Sequence, residues 1–436
     1  MKKRLAAVYE QDFAIISGIL FSLKWIILAS FVAIPMGLLG AFFLNSLDYV
    51  TDYRTTNSNI IFFLPLGGAL ISFLYVKLGK NSRKGTNLIL EQIEYGDEKE
   101  EKIPSRLAPL TLISTITTHL LGGSVGREGT AVQMGGSVAD TISRLLKLNK
   151  SDRKTLLLCG ISSGFGAVFG TPLAGTIFAM EVISIGKMHS YAIFPCFVSA
   201  FLAEQVTNAI GVAHTHYEMT NIPEMSLFLV IKIIAASIVF GLCSILFSKM
   251  IHFFRYIFDK ITSNAPLKSF IGGIIVIALV YIFNTRDYLG LGIPIIKKAL
   301  EEPLEWWTFF LKLLFTTITL GAGFQGGEVT PLFFIGATLG NALGQLLNVS
   351  PLFIASLGFV AVFSGATNTP LACFIMGIEL FHGKGVIFLF IACIVSYLFS
   401  GHHGIYGSQH IHKPKYPWVK VSKYATISNI RKKQIC

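Results

Sequence analysis

Charge is scarce in this chain: Asp, Glu, Lys and Arg together make up 14% of 436 residues, where a soluble domain carries about 25%. A deficit of that size argues against an ordinary soluble enzyme, which needs a charged shell around its core. Cysteine is also sparse. Cys159, Cys196, Cys243, Cys373 and Cys393 lie inside apolar runs, Cys436 ends the chain, and no two are closely spaced. They read as small apolar residues, so neither a disulfide framework nor a metal cluster is expected, and no cofactor. No small-residue cleavage site follows the Met-Lys-Lys-Arg start, so the first apolar segment reads as a retained helix and not a signal peptide. Acids are fewer than bases, leaving a net charge of +12. The bases sit at the ends and in short connectors: Lys2, Lys3 and Arg4; Lys77, Lys80, Arg83 and Lys84; Lys147, Lys150, Arg153 and Lys154; Arg431, Lys432 and Lys433. Nothing soluble remains to carry a nucleic-acid reading module, so nucleic acid is excluded as a partner.

What is plentiful is apolar surface, at 53% of residues with a mean hydropathy of +0.63. Long apolar runs near 13–47, 59–79, 190–213, 225–258, 269–284 and 385–400 are each expected to cross a hydrocarbon core of ~30 Å. Basic connectors between them follow the positive-inside rule, with both termini cytoplasmic. Shorter apolar pieces, such as 108–126, 129–146, 172–185 and 371–382, are punctuated by Gly, Pro, Ser and Thr. They suit helices that stop part-way through a membrane, tolerated only where protein or a wet cavity surrounds the broken backbone.

The chain also repeats itself. Gly126-Arg127-Glu128-Gly129-Thr130 finds a partner in Gly326-Gly327-Glu328-Val329-Thr330, an offset of 200 (328 − 128). Thr171-Pro172-Leu173-Ala174 matches Thr369-Pro370-Leu371-Ala372, and Glu181 and Glu379 each stand ten residues beyond these threonines. Two ordered matches at nearly one offset divide the chain into residues 1–214, residues 215–412 and a basic tail, 413–436. Duplicated halves with broken helices are a transporter signature, with the site where the halves meet. The repeat alone leaves open whether the halves are inverted.

Glu128 is the most informative acid. Glycines around it let successive N–H groups point at one spot, and a helix beginning there adds its positive dipole end. A carboxylate in such a place mimics a bound anion when ionised and leaves when protonated, which makes it both gate and proton carrier. The residues alone fit equally well a structural Glu that pairs with Arg127 or caps the helix.

Here a resemblance becomes specific. The G-R-E-G-T run is similar to the G-R-E-G-P motif of the CLC family of anion channels and anion/proton antiporters. Gly327-Glu328-Val329-Thr330-Pro331 resembles its G-x-F-x-P element, and Gly404-Ile405-Tyr406-Gly407 resembles the segment of its anion-coordinating tyrosine. The likeness spans roughly residues 15–412. It implies an all-α polytopic membrane protein with two inverted repeats, broken helices and a homodimer carrying one pathway per subunit. It also implies Glu128 as the gating and proton-transfer residue, Tyr406 as an anion-contacting phenol, and the N–H groups of Val329 and Thr330 as anion donors.

The departures are informative. The family's chloride filter reads G-S-G-I-P, whereas the corresponding region here is Gly85-Thr86-Asn87-Leu88-Ile89, with Thr86 or Asn87 as the filter residue. A G-x-G-I-P string at Gly290–Pro294 reads as its repeat counterpart. Glu181 matches an acid on the helix after the first proline motif, but Val182 follows it, so the usual inner proton relay is absent. These departures resemble the fluoride/proton antiporter branch of the family. That likeness implies a protein that exports fluoride in exchange for protons across a bacterial-type plasma membrane; the alternative is a chloride/proton exchanger or chloride channel of the same fold. Glu328 either belongs to a polar or proton-carrying network or caps a helix.

Three weaker signals remain in the sequence. Gly122-Gly123-Ser124-Val125-Gly126 fits a hydrolase elbow, but without the strand-to-helix turn or a partner His it does not make the chain an enzyme. His402, His403, His410 and His412 read as part of a solvated basic tail in preference to a metal site or pH sensor. The run Glu94 to Lys102 reads as a solvated loop.

Overall fold

The computed structural model describes residues 2–96, 102–215, 217–422 and 425–430, with side chains from residue 15 onward. The basic side chains of Lys2 to Arg4 and of Arg431 to Lys433, Cys436, and residues 97–101 of the acidic run lie outside the described residues.

Two sets of eight helices follow one another. The first comprises α1 (Lys2–Thr56), α2 (Leu64–Leu78), α3 (Thr86–Tyr95), α4 (Leu107–Leu120), α5 (Glu128–Leu145), α6 (Lys150–Phe169), α7 (Pro172–Glu181) and α8 (Ile193–Ala209). The second comprises α9 (Leu227–Ile261), α10 (Ala265–Ile282), α11 (Ile293–Glu301), α12 (Thr308–Gly321), α13 (Val329–Leu347), α14 (Pro351–Thr367), α15 (Pro370–Leu380) and α16 (Val386–Phe399). Helices α2, α4, α5 and α6 begin 201 residues before α10, α12, α13 and α14 (for example 329 − 128). A two-stranded parallel sheet, β1 (Ser184–Ile185) with β2 (His410–Ile411), joins the end of α7 to the segment after α16.

Reciprocal contacts relate the halves by an approximate two-fold axis. Gly126 N–H donates to Gly327 O at 2.6 Å, and Gly327 N–H donates to Gly126 O at 2.7 Å, in antiparallel sense. Glu181, at the end of α7, accepts from the N–H groups of Leu371 and Ala372 in the first turn of α15, at 3.2 and 2.9 Å. Glu379 returns the contact to Leu173 and Ala174 in the first turn of α7, at 2.9 and 2.7 Å. Each half thus supplies the acid that satisfies the orphan donors of the other half's short helix. Glu181 therefore has a structural engagement, and Val182 follows it as a buried apolar residue.

The reciprocal glycine pair also corrects the repeat register by one residue. Gly126 faces Gly327, and α5 and α13 begin at Glu128 and Val329, so the structural counterpart of Glu128 is Val329 and that of Arg127 is Glu328. An acid at this position is present in one half only.

Among the described residues, five helical stretches are long and apolar enough to cross a membrane: Ile15–Thr56, Ser58–Leu78, Leu227–Ile261, Ala265–Ile282 and Val329–Leu347. Two expected spans are shorter than the apolar runs suggested. The run 190–213 contains α8 with 17 residues and the run 385–400 contains α16 with 14. At ~1.5 Å per residue, α16 reaches only about 21 Å, because Gly385 caps its start and Gly401 turns the chain after its end. Helices α7 and α15, with 10 and 11 residues, cover about half a hydrocarbon core. Ile15, Ile19, Leu20, Leu23, Ile27 and Phe31 form an exposed helical stripe on α1, the face that suits lipid. By contrast α13 and α14 are buried along most of their length.

Close backbone approach at the centre depends on glycine. A Cβ on Gly135 of α5 would stand 1.9 Å from Gly160 O of α6, and one on Gly336 of α13 would stand 2.1 Å from Gly358 O of α14. Small residues at helix crossings serve this purpose in membrane proteins. Gly135→Ala is expected to lower the thermal midpoint in detergent sharply, through an overpacking cost of about 2 kcal/mol or more. Gly18→Ala, where a Cβ meets nothing within 4 Å, is expected to be neutral or mildly stabilising. Paired melting curves of the two variants check this.

Candidate functional site

The site is built where the N-termini of α5 and α13 meet. Glycine makes the approach possible: a Cβ on Gly327 would lie 2.7 Å from Gly129 N, and one on Gly126 would lie 3.0 Å from Gly327 O. Both helices thereby aim their first, intrahelically unpaired N–H groups toward one point.

Glu128 fills that point and is 1% exposed. Its Oε2 accepts from its neighbour Arg127 N–H at 3.0 Å and from Thr330 N–H, in the other half, at 3.1 Å. The Thr330 hydroxyl donates a short hydrogen bond to Oε1. The Arg127 guanidinium is more remote, with Nε 3.6 Å from Oε1. The carboxylate therefore spans the interface between repeats and occupies a place built for an anion. Val329 opens α13 and is buried, but the N–H that reaches the carboxylate is that of Thr330.

Two cavities lie near this contact. A small one of about 20 Å³ is lined by Arg127, Glu128, Thr330, Tyr217, Phe333 and Phe359, among others. It has room for about one water. Phe333 and Phe359 stack with centroids 4.2 Å apart, and Phe169 and Phe363 pack on Phe333. A large cavity of about 580 Å³ is lined by Thr86, Asn87, Gln133, Glu328 and Tyr406, and further out by Arg83, Lys84, Glu91 and Arg255. Three permanent cations against two acids, with Lys84 Nζ 3.2 Å from Glu91 Oε2, give this vestibule a field that draws anions in. Glu128 and Thr330 line the small cavity, and Glu328, which lines the large one, stands beside the first turn of α5.

Of the residues singled out from sequence, Thr86, Asn87, Glu328 and Tyr406 line this vestibule, while Glu128 and Thr330 line the small cavity. Thr86 starts α3 behind Gly85, whose φ of +54° lets the chain turn from the 3₁₀ segment Lys80–Lys84 into the helix. Gly292, with φ +74°, plays the same part before α11, so the G-x-G-I-P string is the structural counterpart of this entry. Thr86 is buried and lines the cavity. Asn87 lines it too, but its Oδ1 accepts from Ser408 N–H at 2.9 Å and so holds the loop after Tyr406. Tyr406 is 3% exposed. Glu328 is the N-cap residue of α13, and its Oε2 lies 3.6 Å from the position a Cβ on Gly129 would take. Its carboxylate is thus beside the first turn of α5 and open to the vestibule.

Two participants were not evident from sequence. The Thr330 hydroxyl, as distinct from its N–H, touches the carboxylate. Gln133 lines the vestibule with an Oε1 that is buried and has no hydrogen-bond partner among the described residues. Its spacing of five from Glu128 was the available signal. Ser124 pairs with the Thr316 hydroxyl at 2.9 Å, a helix-packing contact in place of a nucleophile's.

Residues 67–401 match the profile of the family described as voltage gated chloride channel. The chain belongs to that family. Among its relatives, a chloride/fluoride channel protein of Pseudomonas syringae pv. tomato is 44% identical over 399 residues, covering 90% of this chain and 88% of that protein. The H(+)/Cl(−) exchange transporter ClcA of Vibrio cholerae is 26% identical over 386 residues, covering 81% of each. Among solved structures, that of a CLC-type fluoride/proton antiporter superposes with a TM-score of 0.85 at 31% identity, covering 89% of this chain and 98% of that one. A slow cyanobacterial Cl−/H+ antiporter gives 0.76 at 20% identity, covering 86% and 94%, which supports the CLC fold alone.

The likeness to CLC proteins implies that the Glu128 carboxylate blocks anion passage. Thr330→Val keeps the side-chain volume and removes the hydroxyl donor. Losing a charge-assisted hydrogen bond of about 1.5–3 kcal/mol is expected to raise uncoupled anion leak roughly tenfold or more. Anion efflux from liposomes held at one pH on both sides measures it.

Proposed function

We propose that this CLC protein exchanges fluoride for protons, exporting fluoride across the plasma membrane, with Glu128 as the gate and proton carrier. The observation that carries the proposal is the Glu128 carboxylate held across the repeat interface by Thr330, lining a pocket for a single water, with Glu328 of the wide vestibule beside the first turn of its helix. An ionised Glu128 occupies the anion's place. A proton on that carboxylate removes its charge and weakens its hold on the N–H donors, so anion entry and proton uptake compete for the same groups.

Fluoride is small and strongly hydrated, so it binds only where short, strong donors replace its water. Thr86, Tyr406 and the N–H groups at the start of α13 supply hydroxyl and amide donors around the passage. Thr86 in place of the family's filter serine and Val329 in place of its phenylalanine support fluoride, as do the names of the 44% identical relative and of the structural neighbour at TM-score 0.85. Glu328, beside Glu128 and open to the vestibule, is positioned to pass protons between water and the gate. The basic connectors support a multi-pass protein with both termini cytoplasmic, which puts the large vestibule, bordered by the C-terminal segment, on the cytoplasmic side. The exposed apolar helices suit a lipid bilayer and a homodimer with one pathway per chain. Exchange of chloride for protons is the second reading, supported by the Vibrio relative's name.

Liposomes loaded with equal fluoride and chloride, read by ion-selective electrodes, test the selectivity. Fluoride is expected to leave at least a hundredfold faster, since each ~1.4 kcal/mol of differential binding is a factor of ten; equal rates overturn fluoride as the substrate and favour chloride. Glu128→Ala is expected to abolish proton movement driven by a fluoride gradient while anion flux persists. Wild-type proton pumping by that variant removes Glu128 from the role.

A further inference from the structure

The histidines near the C-terminus do not form one group. His402 Nε2 accepts from Lys415 N–H at 3.0 Å, apart from the others. His410 opens β2 and His412 directly follows its end, and their imidazoles lie together. Their ring centroids are 4.4 Å apart. Glu94, in the last turn of α3, meets them there: His412 Nε2 is 2.9 Å from Glu94 Oε1. One donor atom each from Glu94, His410 and His412 lies within 4.8 Å of the others. Zinc held ~2.0–2.2 Å from each donor in tetrahedral geometry needs donor separations of roughly 3.4 Å, a closure within reach of side-chain rotation.

A second observation points at the same spot. His189, in the turn after β1, is 7% exposed, and its Nε2 has no hydrogen-bond partner among the described residues. That nitrogen lies 3.9 Å from Oε2 of Glu94, the carboxylate oxygen opposite the one His412 touches. A buried imidazole nitrogen left unbonded is costly unless something takes its lone pair or proton.

We propose that Glu94, His410 and His412, with His189 as fourth donor, form a site for a divalent transition metal of the zinc class. Imidazole and carboxylate donors suit zinc, cobalt or nickel, whereas calcium and magnesium favour oxygen alone. The location gives the site a use. Glu94 ends the helix that Thr86 and Asn87 begin, and His410 lies four residues beyond Tyr406. Ser408 already ties these elements, its N–H donating to Asn87 and its hydroxyl to Glu91 at 2.7 Å. A metal bound by Glu94, His410 and His412 fastens α3 to the Tyr406 segment at a second point, so occupancy stiffens the vestibule wall and slows transport.

The test uses the purified full chain and the metals themselves. Cobalt(II) titration is expected to give the visible absorption of a four-coordinate imidazole site, saturating at one per chain and bleached by zinc. His412→Ala, which removes an exposed ligand, is expected to weaken binding at least tenfold, and His402→Ala to leave it unchanged. X-ray absorption of the zinc-loaded wild type, which needs no variant, is expected to show two or three imidazoles; an all-oxygen shell overturns the proposal. So does binding that never saturates or is equal in His412→Ala. Zinc added to the vestibule side is expected to slow wild-type anion flux several-fold and spare His412→Ala. Undiminished flux at saturating zinc overturns the claim that the site bears on transport. The binding readouts are independent of which anion is carried.

Discussion

A carboxylate buried in a water-poor protein centre loses its hydration and needs aimed donors in its place, and the architecture around Glu128 is organised to supply them. The donors are backbone N–H groups at helix starts, which exist only where helices begin in the middle of the protein. Helices that begin there need Gly126, Gly129 and Gly327 to bring two chain segments into backbone contact. They also need surrounding helices packed closely enough to exclude lipid, which Gly135 against Gly160 and Gly336 against Gly358 achieve. Gate, broken helices and glycine-lined crossings are therefore one solution to one electrostatic requirement.

The same requirement explains why an approximately symmetric scaffold carries an asymmetric site. The two-fold relation places Val329 where Glu128 would be repeated. A second acid there would set two like charges on one cluster of donors, and each would oppose ionisation of the other. Val329 keeps the helix start and its amides without adding a second charge. The acid of the second half is moved back one residue, to Glu328, facing the vestibule.

Much of this was legible in the chain itself. The duplicated G-x-E and T-P-L-A strings marked the helix starts, and the glycines around Glu128 marked close backbone approach. Thr86, Tyr406, Thr330 and Glu328 are all at the vestibule or the gate. The exact register was not legible, because matching acid to acid gives an offset of 200 whereas the reciprocal hydrogen bonds between Gly126 and Gly327 impose 201. Nor were the lengths of α8 and α16, since hydropathy does not record where a helix is capped. The meeting of His412 with Glu94 spans 318 residues of chain and follows no period. Contacts of that kind come from the packing of whole elements, to which local sequence patterns are blind.

The exchanged acids of α7 and α15 bear on how the chain is made. Ribosomes release the first half before the second, and until residues 371 and 372 exist Glu181 has no helix start to bind, while the first turn of α7 waits for Glu379. The first half therefore carries a polar helix end that is satisfied only once the second half is in place. Two separate half-length chains would present the same complementary ends. The fold is in this respect a dimer whose two members have been joined into one polypeptide.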